Sequence, residues 1–280
     1  MTKPDADPIG FFLYNQYHQF IMNRLLSIAI YLFSSLIGIA TFAYPFILSP
    51  AAGMLDQQAL APLLTLLLLM LCLGVLLIEV QGQSINARMV AALGVLVSIT
   101  AVLRFIETAV PAPGGFSPIF APLILAGYVF GARFGFLMGV LTILVSALIT
   151  GGVGPWLPYQ MFVAGWVGLT AGWLPHLRQP RLELGMLILF GVVWGILFGF
   201  IINLYSWPFI MGPEATSWQA GAGWQAGASR YLAYYLATSL LWDSVRSLGN
   251  VILILLLGTP TIRALTRFRE RFEFEVRQLA

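Results

Sequence analysis

Two pairs of opposite charges stand out in a chain of which only 9% of the residues are charged. Arg104 and Glu107 are three positions apart, and Asp243 and Arg246 repeat that spacing. Residues at i and i+3 of a helix are neighbours, so each pair can neutralise itself. Ionisable groups inside a bilayer are costly unless they are paired or solvated, which makes both pairs candidates for contact with a polar ligand. Two structural alternatives stay open: an interfacial pair at Arg104 and Glu107, and a helix-orienting pair at Asp243 and Arg246.

A second group of candidates consists of aromatic and amide side chains near the ends of apolar runs. The stretch Gly151–Trp173 begins with the break GGVGPW, which is tolerated at membrane depth only where protein or a water-filled cavity satisfies the freed backbone groups. Aromatic walls with a few polar anchors are typical of small-molecule sites, although for any single tyrosine an interfacial aromatic belt is the simpler explanation. We predict one outward-facing cavity formed by Trp156, Tyr159, Gln160, Asn203, Arg230, Tyr234, Asp243 and Arg246.

Within this predicted site the roles differ by side-chain type. We expect the rings of Trp156 and Tyr159 to stack on a ligand, and the amides of Gln160 and Asn203 to fix its polar edge. The charged residues set the polarity of the pocket or hold the last helix in place.

Several kinds of chemistry are excluded by what the sequence lacks. Lys3 is the one lysine, so a phosphate loop of the GxxxxGK[ST] type and its ATP hydrolysis are absent. His18 and His176 are the two histidines, they form no HExxH motif, and no GxSxG motif occurs. Cys72 is the single cysteine, which excludes an internal disulfide. We therefore predict no enzyme, no metal site and no intrinsic cofactor.

The elements that must position these residues are apolar helices. Hydrophobic residues make up 59% of the 280 residues, which predicts an all-α polytopic membrane protein. We predict about eight spans, of which Pro118–Gly131 is short for a bilayer. They are Leu25–Leu48, Ala59–Val80, Ala87–Ile106, Pro118–Gly131, Phe134–Thr150, Leu157–Leu174, Leu184–Tyr205 and Tyr231–Leu257.

The distribution of basic residues predicts the orientation of these spans. With both termini in the cytoplasm, all but three of the 14 Lys and Arg residues fall at inner ends or in inner loops, as the positive-inside rule requires. The exceptions are Arg104, Arg230 and Arg246. Because topology explains the basic residues, nucleic acid is not expected as a partner. Between spans, the Trp- and Gly-rich loop Trp207–Ser229 is either a lid over a ligand or part of an aromatic belt.

Several segments in order resemble the substrate-binding S components of energy-coupling factor (ECF) transporters. They are Ala87-x-x-x-Ala91, LAGYVFGARFGFLMG, GGVGPWLPYQMFVAGWVGLTAG and GNVILILLLGTP, and GPWLPYQMF is the most specific. The similarity is greatest to the group associated with cobalamin and pyrimidine-type vitamin precursors. The resemblance implies a six-helix core that binds a vitamin from outside the cell membrane and partners a membrane T component and a pair of ABC ATPases.

The resemblance also implies a division of the chain and a docking face. The small residues Ala87 and Ala91 match the pattern that contacts the T component, with packing inside the bundle as the alternative. The divisions are 1–24 as an N-terminal cytoplasmic or interfacial segment, 25–80 as two additional transmembrane helices, 87–258 as the S-component-like core, and 259–280 as a charged cytoplasmic helix. The other function that the residues allow is a self-sufficient secondary transporter that uses the two intramembrane ion pairs for coupling, and a non-transporting scaffold is a third.

Overall fold

The computed structural model describes residues 31–43, 87–110, 115–219 and 221–278, together with isolated positions between 18 and 74. All regular secondary structure in these residues is helical, which confirms the all-α prediction. The predicted span Ala59–Val80 and most of the segment 1–24 lie outside the continuously described residues. The helices are α1 Tyr31–Phe42, α2 Ala87–Ala109, α3 Phe120–Phe130, α4 Ala132–Thr150, α5 Leu157–Ala171, α6 Pro180–Ser206, α7 Gly223–Thr238 and α8 Leu240–Gln278, and a 3₁₀ turn covers Trp207–Phe209.

Four of the described helical segments are long and apolar enough to cross a membrane: Arg88–Ala109, Ala132–Thr150, Pro180–Phe209 and Leu240–Arg271. They make this a multi-pass membrane protein. Helix α3 has 11 residues and α5 has 15, both fewer than the roughly 20 that a bilayer requires. The short α3 was expected from the sequence. Helix α5 ends earlier than the predicted span Leu157–Leu174 because Gly172 and Pro175 follow it, and both residues favour helix termination.

Helices α3, α4 and α5 are held together by direct contact between their backbones. A Cβ atom at Gly168 of α5 would overlap the carbonyl oxygen of Gly135 in α4, and one at Gly127 of α3 would overlap the carbonyl oxygen of Gly168. A Cβ at Gly139 would collide in the same way with Ala164. Small residues allow such close approach between membrane helices. These glycines therefore fix the position of α5, which carries Trp156, Tyr159 and Gln160 at its start.

Helix α1 packs against the face of α5 and thereby belongs to the same helical bundle. The indole Nε1 of Trp166 donates to Ser35 Oγ at 3.1 Å, and Phe42 meets Tyr159 edge to face with ring centroids 5.2 Å apart. A Cβ at Gly38 would lie 2.9 Å from the Trp166 ring, so glycine allows the close approach. Helix α1 thus covers α5 from Tyr159 to Trp166, about two helical turns.

The predicted span Tyr231–Leu257 is wrong, because the chain breaks at Ser239 between α7 and α8. The sequence has no glycine or proline at this point. Thr238 Oγ1 instead donates to the Tyr234 carbonyl, and Asn203 Nδ2 donates to Ser239 Oγ at 2.7 Å. Hydroxyl side chains that bond locally compete with a continuous helix. The break places Asp243 in the first turn of α8, whereas the sequence had suggested a position deep in a span.

Two further boundaries differ from expectation. The segment Trp207–Ser229 is not a loop throughout, since α7 begins at Gly223 and runs through the second half of the WQAGAGWQAGAS near-repeat. Helix α7 contains four alanines and two leucines, which are good helix formers. At the other end, α8 continues without interruption from Leu240 to Gln278, with Pro260 inside it. The predicted division between 258 and 259 therefore falls within one helix.

Candidate functional site

Asp243 is the centre of a buried polar cluster where α6, α7 and α8 meet. Its carboxylate accepts from Arg246 Nη1 in an ion pair and from the Tyr235 hydroxyl at 2.9 Å. Only 2% of Asp243 is exposed. Arg246 binds one carboxylate oxygen and Tyr235 the other, so protein side chains satisfy both. The alternative in which Asp243 and Arg246 hold helices together gains direct support, because the carboxylate joins α7 to α8 across the break at Ser239.

Arg246 is fixed from several directions. Its Nη1 also donates to the Gly195 carbonyl of α6 at 3.3 Å. The guanidinium carbon lies 5.7 Å from the ring centroid of Phe120 and 5.4 Å from that of Phe198, within the range of a cation–π contact. An ion pair, a carbonyl and two aromatic faces together hold this cation in place.

The α6 surface that receives this cluster is built from three glycines at four-residue spacing. Gly191, Gly195 and Gly199 face Asn250, Ser247 and Asp243 of α8, respectively, and a Cβ at position 195 or 199 would overlap the facing residue. Asn250 Nδ2 donates to the Gly191 carbonyl at 2.8 Å, and Ser247 Oγ donates to the Val192 carbonyl at 3.0 Å. Polar side chains of α8 thus bond to the α6 backbone along the groove that these glycines leave open.

Arg104 and Glu107 each have a partner other than the opposite member of the pair. Arg104 Nη2 donates to Gln160 Oε1 at 3.1 Å and so joins α2 to the first turn of α5. Glu107 accepts from Ser117 Oγ at 2.8 Å. The charges of Arg104 and Glu107 nevertheless act on each other and on Arg246. The two ion pairs predicted from the sequence therefore belong to one charge cluster at one end of the bundle.

The two aromatic residues expected to stack on a ligand lie in different surroundings. Trp156 is 44% exposed, and its ring covers Gly154 in the preceding loop. Tyr159 is 1% exposed and lies between Phe42 and Tyr205, with ring centroids 5.2 and 4.3 Å away. In this conformation Trp156 is accessible to a ligand, whereas Tyr159 is part of the packing between α1, α5 and α6.

A second, aromatic cluster lies beside the first and contains Tyr234. Trp207, Tyr231 and Tyr234 are buried together, and the Tyr231 hydroxyl donates to the Phe200 carbonyl of α6. Trp207 Nε1 donates to the Thr216 carbonyl at 2.8 Å, which anchors the segment 207–219 over this cluster. Arg230 binds the same segment, through an ion pair of 3.7 Å with Glu214 and through the carbonyls of Glu214 and Ser217.

The structure thus divides the predicted site residues between two neighbouring groups. Gln160, Asp243 and Arg246 belong to the charge cluster, to which Arg104 and Glu107 contribute. Tyr234 and Arg230 belong to the aromatic cluster under the segment 207–219. Asn203 lies between them, bonded to Ser239 at the junction of α7 and α8. No group of three potential metal-ligating side chains lies close together within the described residues.

A model of the family described as "ECF transporter, substrate-specific component" matches residues 88–258. That range begins in α2, ends in α8 and includes both clusters. The chain belongs to the ECF transporter substrate-specific component family. No curated protein and no solved structure matches the chain.

Membership of the ECF substrate-specific components makes the protein a transporter component rather than an enzyme. The matched range leaves α1 outside it, although α1 packs on α5 of the matched core. It begins one residue after Ala87, while Ala91 lies within it and is exposed on α2.

Sequence reasoning missed the residues that position the charge cluster. Tyr235, the partner of Asp243, is not among the predicted site residues. Gly191, Gly195 and Gly199 form the pattern GxxxGxxxG in GVVWGILFG, a recognised signal for close helix contact in membranes. That pattern indicated which face of α6 receives α8.

Proposed function

We propose that this chain is the substrate-capture subunit of an ECF-type ABC importer and binds a vitamin or vitamin precursor from outside the cell. The observation that carries the proposal is the charge cluster of Arg104, Glu107, Gln160, Asp243 and Arg246. Five polar side chains at one end of an apolar bundle are expensive to maintain, and such groups in membrane proteins mark binding sites or transport pathways. Family membership supports a binding site.

The resemblance favours cobalamin or a pyrimidine-type precursor as the ligand. Support for a site that can admit a large molecule comes from the segment 207–219, whose contacts with the bundle include Trp207, Trp218 and Arg230. Glu214, at the outer end of that attachment, has a side chain that is 83% exposed. Movement of the part of this segment that follows Trp207 would uncover the aromatic cluster without breaking the Asp243–Arg246 pair.

For transport, we propose that a T component and a pair of ABC ATPases act on this subunit. The exposed Ala91 and its neighbour on the same helix, Ala87, are the proposed contact with the T component, since small residues allow close helix approach. The chain lacks a phosphate loop, so energy must come from the ATPases. Reorientation of the whole subunit after docking would release the vitamin to the cytoplasmic side.

A ligand-dependent melting screen tests the capture role. The purified full-length protein in detergent is heated with and without cobalamin, riboflavin, hydroxymethylpyrimidine, thiamin, biotin and folate. A ligand that binds only the folded state raises the melting temperature by mass action. We expect one member of this panel to do so, and expect the increase to persist in the control variant Arg178→Gln, whose side chain is exposed far along the chain from the cluster. Failure of every vitamin to stabilise the protein would contradict the capture role.

The second candidate function is a self-sufficient secondary transporter, which the buried Asp243–Arg246 ion pair favours because such pairs can couple substrate to ion movement. Proteoliposomes that contain this chain alone distinguish the two functions. Uptake of the bound vitamin driven by a proton or sodium gradient would favour the secondary transporter, and binding without uptake would favour the capture subunit.

A further inference from the structure

The two arginines of the charge cluster use their donors very differently. Arg246 is bonded to Asp243 and to the Gly195 carbonyl and lies against two aromatic rings. Arg104 makes one hydrogen bond within the described residues, from Nη2 to Gln160 Oε1. A guanidinium has five N–H donors in a planar fork. Arg104 is therefore the cation of this cluster that has donors to offer a ligand.

Glu107 supplies the matching acceptor one helical turn away. Its carboxylate accepts one hydrogen bond, from Ser117 Oγ, within the described residues. An ionised carboxylate has about four acceptor positions, so most of its capacity is left. Residues at i and i+3 of a helix lie about 5–6 Å apart at their Cβ atoms, which places the remaining donors of Arg104 and the remaining acceptor positions of Glu107 next to each other on α2.

The charges of the cluster cancel without any ligand. Asp243 neutralises Arg246 in a direct ion pair, and Glu107 and Arg104 interact electrostatically over one helical turn. A carboxylate ligand would add an uncompensated negative charge beside Glu107, and a cationic ligand would add an uncompensated positive charge beside Arg104. Burying an unpaired charge costs far more than burying a hydrogen-bonded neutral group. The site therefore matches a ligand that has no net charge but has both a donor and an acceptor.

The surroundings of the pair favour a planar ligand. Gln160, whose side chain accepts from Arg104, lies four residues after Trp156. The backbone N–H of Gln160 donates to the Trp156 carbonyl at 3.0 Å. This spacing places Trp156, whose exposed indole lies against Gly154, one helical turn before Gln160. An aromatic plane beside a polar pair is the arrangement by which proteins hold flat, polar molecules.

We propose that Arg104 and Glu107 bind one edge of the ligand and select an uncharged amide, lactam or nitrogen heterocycle. Arg104 donates a hydrogen bond to an acceptor of the ligand, and Glu107 accepts one from a ligand N–H. The inference rests on the proposed capture function and adds the chemical class of the substrate. It assigns to Glu107 the discrimination against carboxylate ligands and to Arg104 a hydrogen-bond donor for the ligand, whereas Arg246 and Asp243 position the helices around them.

The first measurement compares two classes of vitamin on the purified full-length protein by equilibrium binding. The uncharged probes are cobalamin, riboflavin, hydroxymethylpyrimidine and nicotinamide, and the carboxylates are biotin, folate, pantothenate and nicotinate. We expect the tightest ligand to be uncharged. The second measurement compares that ligand with an analogue of the same skeleton that carries one carboxylate, and we expect the analogue to bind at least about tenfold more weakly, the loss that one unfavourable charge contact produces.

Variants then test whether the two residues cause the discrimination. Glu107→Gln removes the negative charge but keeps an acceptor. The affinity for the uncharged ligand divided by the affinity for its carboxylate analogue should therefore fall by about tenfold or more. Arg104→Lys keeps the charge and loses the planar guanidinium. It should lower the affinity for both ligands and leave the ratio of the two affinities unchanged. The control Arg178→Gln should change neither affinity.

The outcomes separate the two proposals. A carboxylate as the tightest ligand, or an unchanged ratio in a folded Glu107→Gln protein, would overturn the selection by Arg104 and Glu107 and leave the capture function standing. Unchanged affinity for both ligands in Arg104→Lys would overturn it as well. Absence of binding by every probe would overturn the capture function itself, and the inference with it. Melting temperatures of the ligand-free variants show that each protein is folded.

Discussion

Gly199 of α6 faces the carboxylate of Asp243 on α8 so closely that a Cβ at position 199 would overlap both carboxylate oxygens. The same carboxylate binds Arg246 and Tyr235. An atom inserted at position 199 would therefore separate three helices at once. Glycine at this position allows the charge cluster to form.

The variant Gly199→Ala should consequently lower the melting temperature and weaken ligand binding together. Forcing extra atoms into a packed site costs about 1–3 kcal/mol. Gly185→Ala is the matched control on the same helix, since nothing lies within 4 Å of a Cβ there and alanine favours a helix by about 1 kcal/mol. Thermal melting in detergent distinguishes them, and equal melting temperatures in the two variants would contradict the close contact.

Replacing Asp243 with asparagine tests the buried ion pair. The substitution leaves the Arg246 cation without its counter-charge, which typically costs about 3–5 kcal/mol in unfolding free energy. Adding Arg246→Met to the same protein should recover part of that loss, because no uncompensated charge is then buried. SDS titration of the parent, the two single variants and the double variant measures the unfolding free energies. A double variant as unstable as the sum of the two single variants would show that the residues do not interact.

Gly168→Ala tests the backbone contact between α5 and α4. The added methyl group would collide with the Gly135 carbonyl, a backbone atom that cannot rotate away as a side chain can. We expect the melting temperature to fall by more than in Gly199→Ala, and we expect poor recovery of folded protein. Gly185→Ala again controls for helix propensity. A Gly168→Ala protein as stable as the parent would contradict this packing.

The proposed docking face is tested by replacing Ala87 and Ala91 with leucine. Larger side chains prevent close approach of another helix, so co-purification with a T component should be lost. Vitamin affinity should be unchanged, since the Arg104–Gln160 contact lies at the opposite end of α2. The control is Val90→Leu, a conservative change at an exposed neighbouring position. Continued co-purification of the double variant would rule out this face.

Neutralising Glu214 should have little effect on stability. Its ion pair with Arg230 is 3.7 Å long, the Glu214 side chain is 83% exposed, and exposed pairs contribute about 0–1 kcal/mol. Arg230→Gln should cost more, because Arg230 also binds two backbone carbonyls of the segment 207–219. Limited proteolysis of that segment provides the readout. Faster cleavage in Glu214→Gln than in Arg230→Gln would contradict the prediction that Arg230 holds the segment more strongly than Glu214 does.

The sequence was sufficient to predict the helical membrane fold, the short α3 and the pairing of Asp243 with Arg246. Each of these depends on local composition or on spacing within one helix. The break at Ser239 could not be predicted in this way, because it depends on Asn203 of α6, which is distant in sequence. The packing of α1 on α5 depends in the same way on Gly38 and Trp166, more than a hundred positions apart.

The candidate site shows the same limit. Spacing identified Arg104 and Glu107 as a pair, but the bond from Arg104 to Gln160 joins separate helices and is visible only in three dimensions. Tyr159 was expected to stack on a ligand because aromatic walls with a few polar anchors are typical of small-molecule sites. Its ring instead fills the space between Phe42 and Tyr205, since neighbouring positions of a helix point in different directions.

The central claim, that this chain captures a vitamin and requires partners to move it, is tested most directly in proteoliposomes that contain the full-length protein alone. Radiolabelled vitamin identified by the melting screen is added in the presence of a proton or sodium gradient, and bound and internalised label are measured separately. The account predicts saturable binding of about one vitamin per accessible chain with no gradient-driven accumulation. Accumulation of free vitamin inside these vesicles, or the absence of saturable binding, would contradict it.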